Sequence, residues 1–363
     1  MRPLQGLTVV ALEQAVAAPF ATARLADAGA RVIKIERPEG DFARGYDKTA
    51  QGQSSYFVWL NRGKDSLIAD LTTPEGKALL TDLLAGADVL VQNLKPGALA
   101  RLGFPPDLLA RNYPRLITCS ISGYGEDGPM AERKAYDLLI QAESGLCSIT
   151  GGPDQPARTG ISVVDIATGA TAHAAILQAL IQRGITGRGS AIALSMFDVM
   201  ADWLAVPLLQ HEGGQTPRRV GMAHPSIAPY GVFASADAVP VLISVQSDRE
   251  FAALAAGVLG DAALARDPRF ATNVARVTHR AETDALVGAA LGRLTVAEAE
   301  AALDKAGIAF ARVNDMAGLS AHPHLRRVSV DTPNGPVRLP APAAIVDGAV
   351  PELGPVPALG GRS

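Results

Sequence analysis

A chain of 363 residues, 48% hydrophobic and 19% charged, is long enough for about two domains and too apolar to be disordered. Lys and Arg total 33 against 36 Asp and Glu, a formal net charge of -3, so no basic field exists to hold nucleic acid or an anionic membrane. Any anionic ligand has to be gripped by a few placed cations.

Taken in chain order, residues 7–12 read as a strand, 17–28 as a helix closed by Gly29, and 31–36 as a second strand ended by the turn at 37–40. That is a βαβ opening. Strands follow at 66–70, 89–92 and 116–121, with a helix at 74–85 that carries Pro74 in its first turn. The alternation predicts an α/β fold, a Rossmann-like large domain with a mostly parallel sheet covered on both faces. The apolar stretch 161–181 contains Asp165, His173 and Gln178, so it reads as core and not as a membrane span. Within it, 161–169 is strand-like and 167–183 is helical, followed by a strand at 190–194 and a helix at 196–209. We expect a large domain over 1–205, a linker over 206–227, and a smaller α+β domain over 228–315. That second domain has strands at 241–245 and 309–313 and helices at 248–259, 281–291 and 296–306. The Pro- and Gly-rich segment 316–363 is expected to return to the large domain.

Two cysteines, Cys119 and Cys147, cannot build a disulfide framework, the six His are scattered, and no charged-then-apolar leader opens the sequence. The expectation is a cytoplasmic protein with no metal site, no nucleic-acid partner and no membrane association. A βαβ start invites a nicotinamide reading, and Glu36 ends the second strand where a ribose-binding acid often lies. The loop at 13–19 (EQAVAAP) lacks the glycines that let a backbone approach pyrophosphate, which argues against it.

Arg37, Lys95 and Arg101 follow strands, where open α/β sheets bind ligands; they fit a polyphosphate grip and equally fit solvated loop ends. Asp165 is a carboxylate in an apolar segment, which is costly unless paired or hydrogen-bonded. A helix cap and a nucleophile kept ionised by a helix N-terminus both fit it. Asp137 introduces a helical run, and capping alone accounts for it.

Seven motifs then occur in one order: residues 32–38 (VIKIERP), 61–64 (NRGK), 91–97 (VQNLKPG), 122–125 (SGYG), 135–137 (AYD), 164–169 (VDIATG) and 194–198 (LSMFD). From residues 4–7 (LQGL) to Trp203 the chain resembles the class III coenzyme A transferases, the formyl-CoA transferase, carnitine CoA-transferase and α-methylacyl-CoA racemase group. Beyond that, residues 224–230 (HPSIAPY) carry the best likeness. The resemblance implies that Asp165 is a nucleophile forming an aspartyl anhydride and then an aspartyl-CoA thioester. Coenzyme A enters as a thioester substrate, with no tightly bound cofactor.

It implies CoA contacts from the backbone at Val16 and Ala17, from Arg37, the turn Asn93, Leu94 and Lys95, Arg101, and Lys134 with Tyr136. Asp137 and His224 take auxiliary or substrate-binding roles. The acceptor expected from residues 224–230 is a small C4–C5 dicarboxylate, and because the intermediates are water-sensitive the loops at Gly151, Gly152 and at Gly213, Gly214 are candidate covers of the site. An interlocked-ring homodimer is implied as well. Two alternatives stand beside transfer. An acyl-CoA racemase needs an acid/base pair, but Tyr136 occupies the place of that group's His, and a phenol of pKa roughly 10 is a poor base. A noncatalytic CoA-binding protein would leave Asp165 as a cap.

Overall fold

The computed structural model describes residues 2–362. The chain separates into two compact units. The first runs to Leu146, resumes over Thr159–Leu209, and takes in the stretch from His324 onward; the second comprises Cys147–Arg158 and Gln210–Pro323.

The strands in chain order are β1 Thr8–Leu12, β2 Arg31–Glu36, β3 Lys64–Ile68, β4 Val89–Gln92, β5 Ile117–Ser122, β6 Gly151–Gly152, β7 Gln155–Pro156 and β8 Ala191–Ser195. They continue with β9 Tyr230–Ala234, β10 Pro240–Ser244, β11 Ala309–Arg312, β12 Arg327–Val330 and β13 Val337–Pro340.

In the first unit six strands form one sheet in the order β3-β2-β1-β4-β5-β8, parallel throughout. Helices cover both faces, so residues 9–12 of β1 and 89–91 of β4 are unbroken apolar runs buried on both sides. Val9, Ala11, Val91 and Ile117 pack on one face with Leu25 and Ile176; Val10, Leu12 and Leu90 pack on the other with Leu80 and Leu84. Each fully buried Leu or Ile contributes about 1.5–3 kcal/mol. The helix Ala17–Asp27 is cut short by Gly29 at φ 101. Residues 354–361 lie along the free edge of β3, where Gly63 N–H donates to Pro355 O at 2.7 Å and Ser66 N–H to Gly361 O at 2.8 Å.

The second unit is a three-stranded antiparallel sheet in the order β11-β10-β9, with Val241, Ile243, Phe251, Leu254, Val287 and Leu303 in its core. Its helices Asp248–Gly257 and Val296–Ala306 both begin with capping boxes, Ser247 with Glu250 and Thr295 with Glu298.

Three expectations are corrected. Asp165 is not in a strand: the helix Val163–Thr186 starts two residues before it, because burying Val164, Ala167 and Thr168 outweighs the β preference of Ile161, Val163 and Val164. The linker expected from residue 206 begins as the helix Ala205–Glu212, and the break between units falls after Leu209. Cys147–Arg158, given to the large domain by periodicity, sits in the second unit. Arg219 holds it there by donating to the carbonyls of Ser148, Gly152 and Pro153. Val163–Thr186 is also the one helix among the described residues long and apolar enough to cross a membrane, and it is a packed helix of the first unit's core.

Candidate active site

In the first unit β1 lies between β2 and β4, so its neighbours are reached by connections running to opposite sides. The loops after β1 and β4 therefore part at the carboxyl edge of the sheet, the place where open α/β sheets bind ligands. A cleft of about 220 Å³ opens there, lined among others by Leu12, Ile35, Arg37, Thr72, Leu94 and Leu102. Glu36 also borders it but is not available to a ribose. Arg44 Nη2 and Nε donate to its two oxygens at 2.6 and 2.8 Å, and Ser66 Oγ donates at 2.6 Å. Burial opposes ionisation of Glu36, yet these donors and Lys34 hold it down at about 2.

The turn after β1 is fixed from three sides. Asn93 clamps Gln14, accepting from its N–H at 3.0 Å and donating to its carbonyl at 2.9 Å. Ala15 has φ 62, a left-handed conformation that costs a non-glycine residue about 1–2 kcal/mol, and its N–H donates to Asp41 Oδ1 at 3.3 Å. Below lies a buried ionic group. Lys34 Nζ donates to Asp41 Oδ2 at 2.8 Å and to Glu13 O at 3.3 Å, while Lys64 Nζ pairs with Glu13 Oε1 at 2.6 Å. All four side chains are fully buried. Burial opposes the Glu13 charge, but Lys64 and Lys34 prevail and its carboxyl is lowered. The turn ends at Val16 and Ala17, where the helix Ala17–Asp27 begins with no side-chain cap.

That helix follows β1 and the helix Val163–Thr186 precedes β8, so in a parallel sheet both point their N-termini at the same edge. They touch closely: a Cβ on Gly169 would lie 2.5 Å from Ala17 O and 2.8 Å from Phe20 Cβ. One turn above Gly169 is Asp165, the third residue of the long helix. The cap expected of Asp165 belongs to Asp137, whose Oδ1 accepts from Val164 N–H at 2.8 Å and Asp165 N–H at 3.3 Å. Gln141 Nε2 holds the other oxygen of Asp137 at 2.6 Å. Asp137 thus caps a helix distant in sequence, not the helix Asp137–Glu143 it begins. The Asp165 carboxylate is left without a hydrogen-bond or ion-pair partner among the described residues. Its pKa is pushed up to about 7, first by burial and then by the Asp137 charge, opposite to the expectation that the helix N-terminus keeps it ionised. Tyr46 belongs to the same neighbourhood. Burial, with the charges of Asp41 and Asp165 adding, pushes its hydroxyl up to about 12.

Of the residues singled out from sequence, Arg37 and Leu94 border the cleft, and Val16 and Ala17 form the uncapped helix start. The Asn93 side chain is committed to Gln14, and Leu94 N–H to Gln92 Oε1 at 2.7 Å. Lys95 is exposed in the turn after β4 and Arg101 at the end of the short helix Ala98–Arg101, where its Nη2 reaches Pro96 O at 3.3 Å. Lys134 and Tyr136 are exposed just ahead of Asp137.

His224 lies in the second unit: its Nδ1 accepts from Ser226 N–H at 3.1 Å, leaving Nε2 to carry the ring proton, and the ring stacks on Tyr230 at 5.3 Å. Gly151 and Gly152, expected in a covering loop, are tied into the β6–β7 ladder. Sequence reasoning passed over Asp41, Tyr46 and Gly169 as site residues. Only Gly169 left a signal, as a lone glycine in a helical pattern.

Comparison with known proteins gives the family. The model of CoA-transferase family III matches residues 4–363. The succinate–glutarate CoA-transferase of Agrobacterium fabrum is 37% identical over 349 residues, 92% of this chain and 87% of that protein. The acetyl-CoA:oxalate CoA-transferase of Acetobacter aceti is 37% identical over 95% of this chain and 90% of its own length. A crystal structure of a CAIB/BAIF family protein from Brucella suis superposes with a TM-score of 0.81 at 37% identity, covering 100% of this chain and 96% of that one. An acyl-CoA thioester is the substrate that CoA transfer requires, and the chain belongs to CoA-transferase family III.

Proposed function

We propose that the protein moves coenzyme A from an acyl-CoA donor to a small dicarboxylate through covalent intermediates on Asp165. A carboxylate oxygen of Asp165 attacks the thioester carbonyl, the C–S bond breaks, and an aspartyl anhydride forms with release of CoA thiolate. The thiolate attacks the Asp165 carbonyl, freeing the donor acid and leaving an aspartyl-CoA thioester. The acceptor carboxylate attacks that thioester to give a second anhydride, and returning thiolate takes the acceptor acyl group, restoring Asp165. The observation that carries this reading is the unpartnered Asp165 carboxylate, with Asp137 doing the capping that would otherwise occupy it. A group meant only to stabilise the helix would be spent on its backbone N–H groups.

Support for CoA at the sheet edge comes from the cleft beside Arg37 and Leu94, with the exposed Lys95, Arg101 and Lys134 available to phosphates. We assign Val16 and Ala17 backbone groups and Tyr136 to the pantetheine and thioester end. The acceptor class follows the relatives named for succinate, glutarate and oxalate. We assign the molecule a homodimeric state in the cytoplasm, in keeping with Ile181, Ile185, Trp203, Val206 and Leu209 exposed in the first unit.

The test is trapping: incubate with acyl-CoA donors, add hydroxylamine, and map the hydroxamate by peptide mass analysis. Label at Asp165 is expected. Asp165→Ala is expected to abolish transfer while CoA affinity changes by less than about tenfold. Label elsewhere with turnover intact, or collapse of CoA affinity in that variant, overturns the reading.

A further inference from the structure

We propose that Asp41 is a positioning residue for the transfer reaction: its buried carboxylate holds the strained turn at Ala15 and the segment Phe42–Gly45 in place at the sheet edge where Asp165 lies. The proposal rests on Asp165 being the nucleophile and on the backbone of Val16 and Ala17 lying at the thioester. Asp41 touches neither CoA nor the reacting atoms; it acts through the turn.

The geometry is economical. Asp41 Oδ1 accepts from Ala15 N–H on one side at 3.3 Å and from Ala43 N–H on the other at 2.9 Å. Oδ2 is anchored by Lys34 at 2.8 Å, and the Asp41 N–H donates to Glu36 Oε2 at 2.9 Å. Released from this grip, Ala15 would leave φ 62 for an ordinary backbone conformation, and Val16 and Ala17 would turn with it. On the other side Asp41 caps the short 3-10 helix Phe42–Gly45, which delivers Tyr46 to a T-shaped contact with Tyr56 at 5.5 Å. A buried ion pair rarely stabilises a fold more than apolar side chains of the same volume. Four fully buried charges, Glu13, Lys34, Asp41 and Lys64, directly beneath a strained turn at the reaction edge are explained by the conformation they impose.

The test is a double-mutant cycle between Asp41→Asn and Ala15→Gly, read as the single-turnover rate of Asp165 acylation, with CoA affinity and thermal midpoint measured on each variant. Asp41→Asn is expected to slow acylation by about 10–100-fold while CoA affinity changes less than about threefold, since the reacting groups are misplaced and the nucleotide is not. Glycine occupies φ 62 without penalty, so in the Ala15→Gly background the same substitution should slow acylation by no more than about fivefold. A role confined to stability would lower the thermal midpoint equally in both backgrounds and give no such coupling. If Asp41→Asn does not fold, Asp41→Glu, which keeps the charge for Lys34 but displaces the oxygen shared by Ala15 N–H and Ala43 N–H, is expected to show the same coupling to Ala15→Gly.

Equal rate losses in the two backgrounds, or acylation at the unsubstituted rate in Asp41→Asn, overturn the proposal. Hydroxamate at a residue other than Asp165 in the unsubstituted protein would instead remove the nucleophile reading beneath it.

Discussion

Gly169→Ala is a substitution on which helix propensity and packing give opposite signs. Alanine in a helix interior is favoured over glycine by roughly 0.5–1 kcal/mol. Here the new Cβ would sit 2.5 Å from Ala17 O, a backbone atom that cannot rotate away, and 2.8 Å from Phe20 Cβ. Restoring ordinary contact requires the two helices to separate by about 0.9 Å, and overpacking of this kind costs typically 1–3 kcal/mol. Packing should win, with net destabilisation of about 1–2 kcal/mol and a thermal midpoint lowered by several degrees. The separation also carries Asp165 away from Ala17. A displacement near 1 Å at a reacting group costs on the order of 10²-fold in rate, so acylation should slow far more than the stability loss explains. Calorimetry and single-turnover acylation on the same preparation check both. A variant as stable as the parent, acylating within about threefold of its rate, would refute the claim that close approach at Gly169 sets the position of Asp165.

Two further outcomes follow from the Asp165 carboxyl. In the proposed mechanism only the ionised form attacks, so the acylation rate should rise with pH and reach half its maximum near 7. Asp137→Asn, which keeps an oxygen for Val164 N–H but loses the charge, should move that inflection downward without returning it to the ordinary carboxylate range, because burial is the larger cause. An unchanged inflection would show that the Asp137 charge does not reach Asp165. Stability should run the other way. The folded-state pKa near 7 lies above the ordinary 3.8, so the folded state favours protonated Asp165; that contribution is complete below about 3.8 and is lost as pH rises through about 7. Asp165→Asn should therefore melt higher than the parent at pH 8 and converge with it toward pH 4. A difference independent of pH would contradict this account.

The parallel sheet was legible because its strands are short apolar runs alternating with helical spacing, a pattern that parallel burial imposes directly. Asp165 was legible as an acid in an apolar segment, but its local structure was not. The β-branched Ile161, Val163 and Val164 argue for a strand, whereas burial of Val164, Ala167 and Thr168 and the Asp137 cap favour the helix. Asp137 was read as a cap for its own helix, since local rules see only neighbours in sequence, whereas its true partner is 27 residues away. Asp41 carried no signal. Its role comes from Lys34 and Ala15, brought to it by strand pairing and by a backbone angle, and neither of those is written in residue type.

The second unit interrupts the first, and the residues that seal the β3 edge come after it. At translation rates of about 5–20 residues per second, β3 leaves the ribosome on the order of 15–60 s before residues 355–361 exist to cover it. During that interval an open strand edge waits beside a growing chain, available to any other strand of suitable register. The order of synthesis thus sets a kinetic hazard that the finished molecule no longer displays.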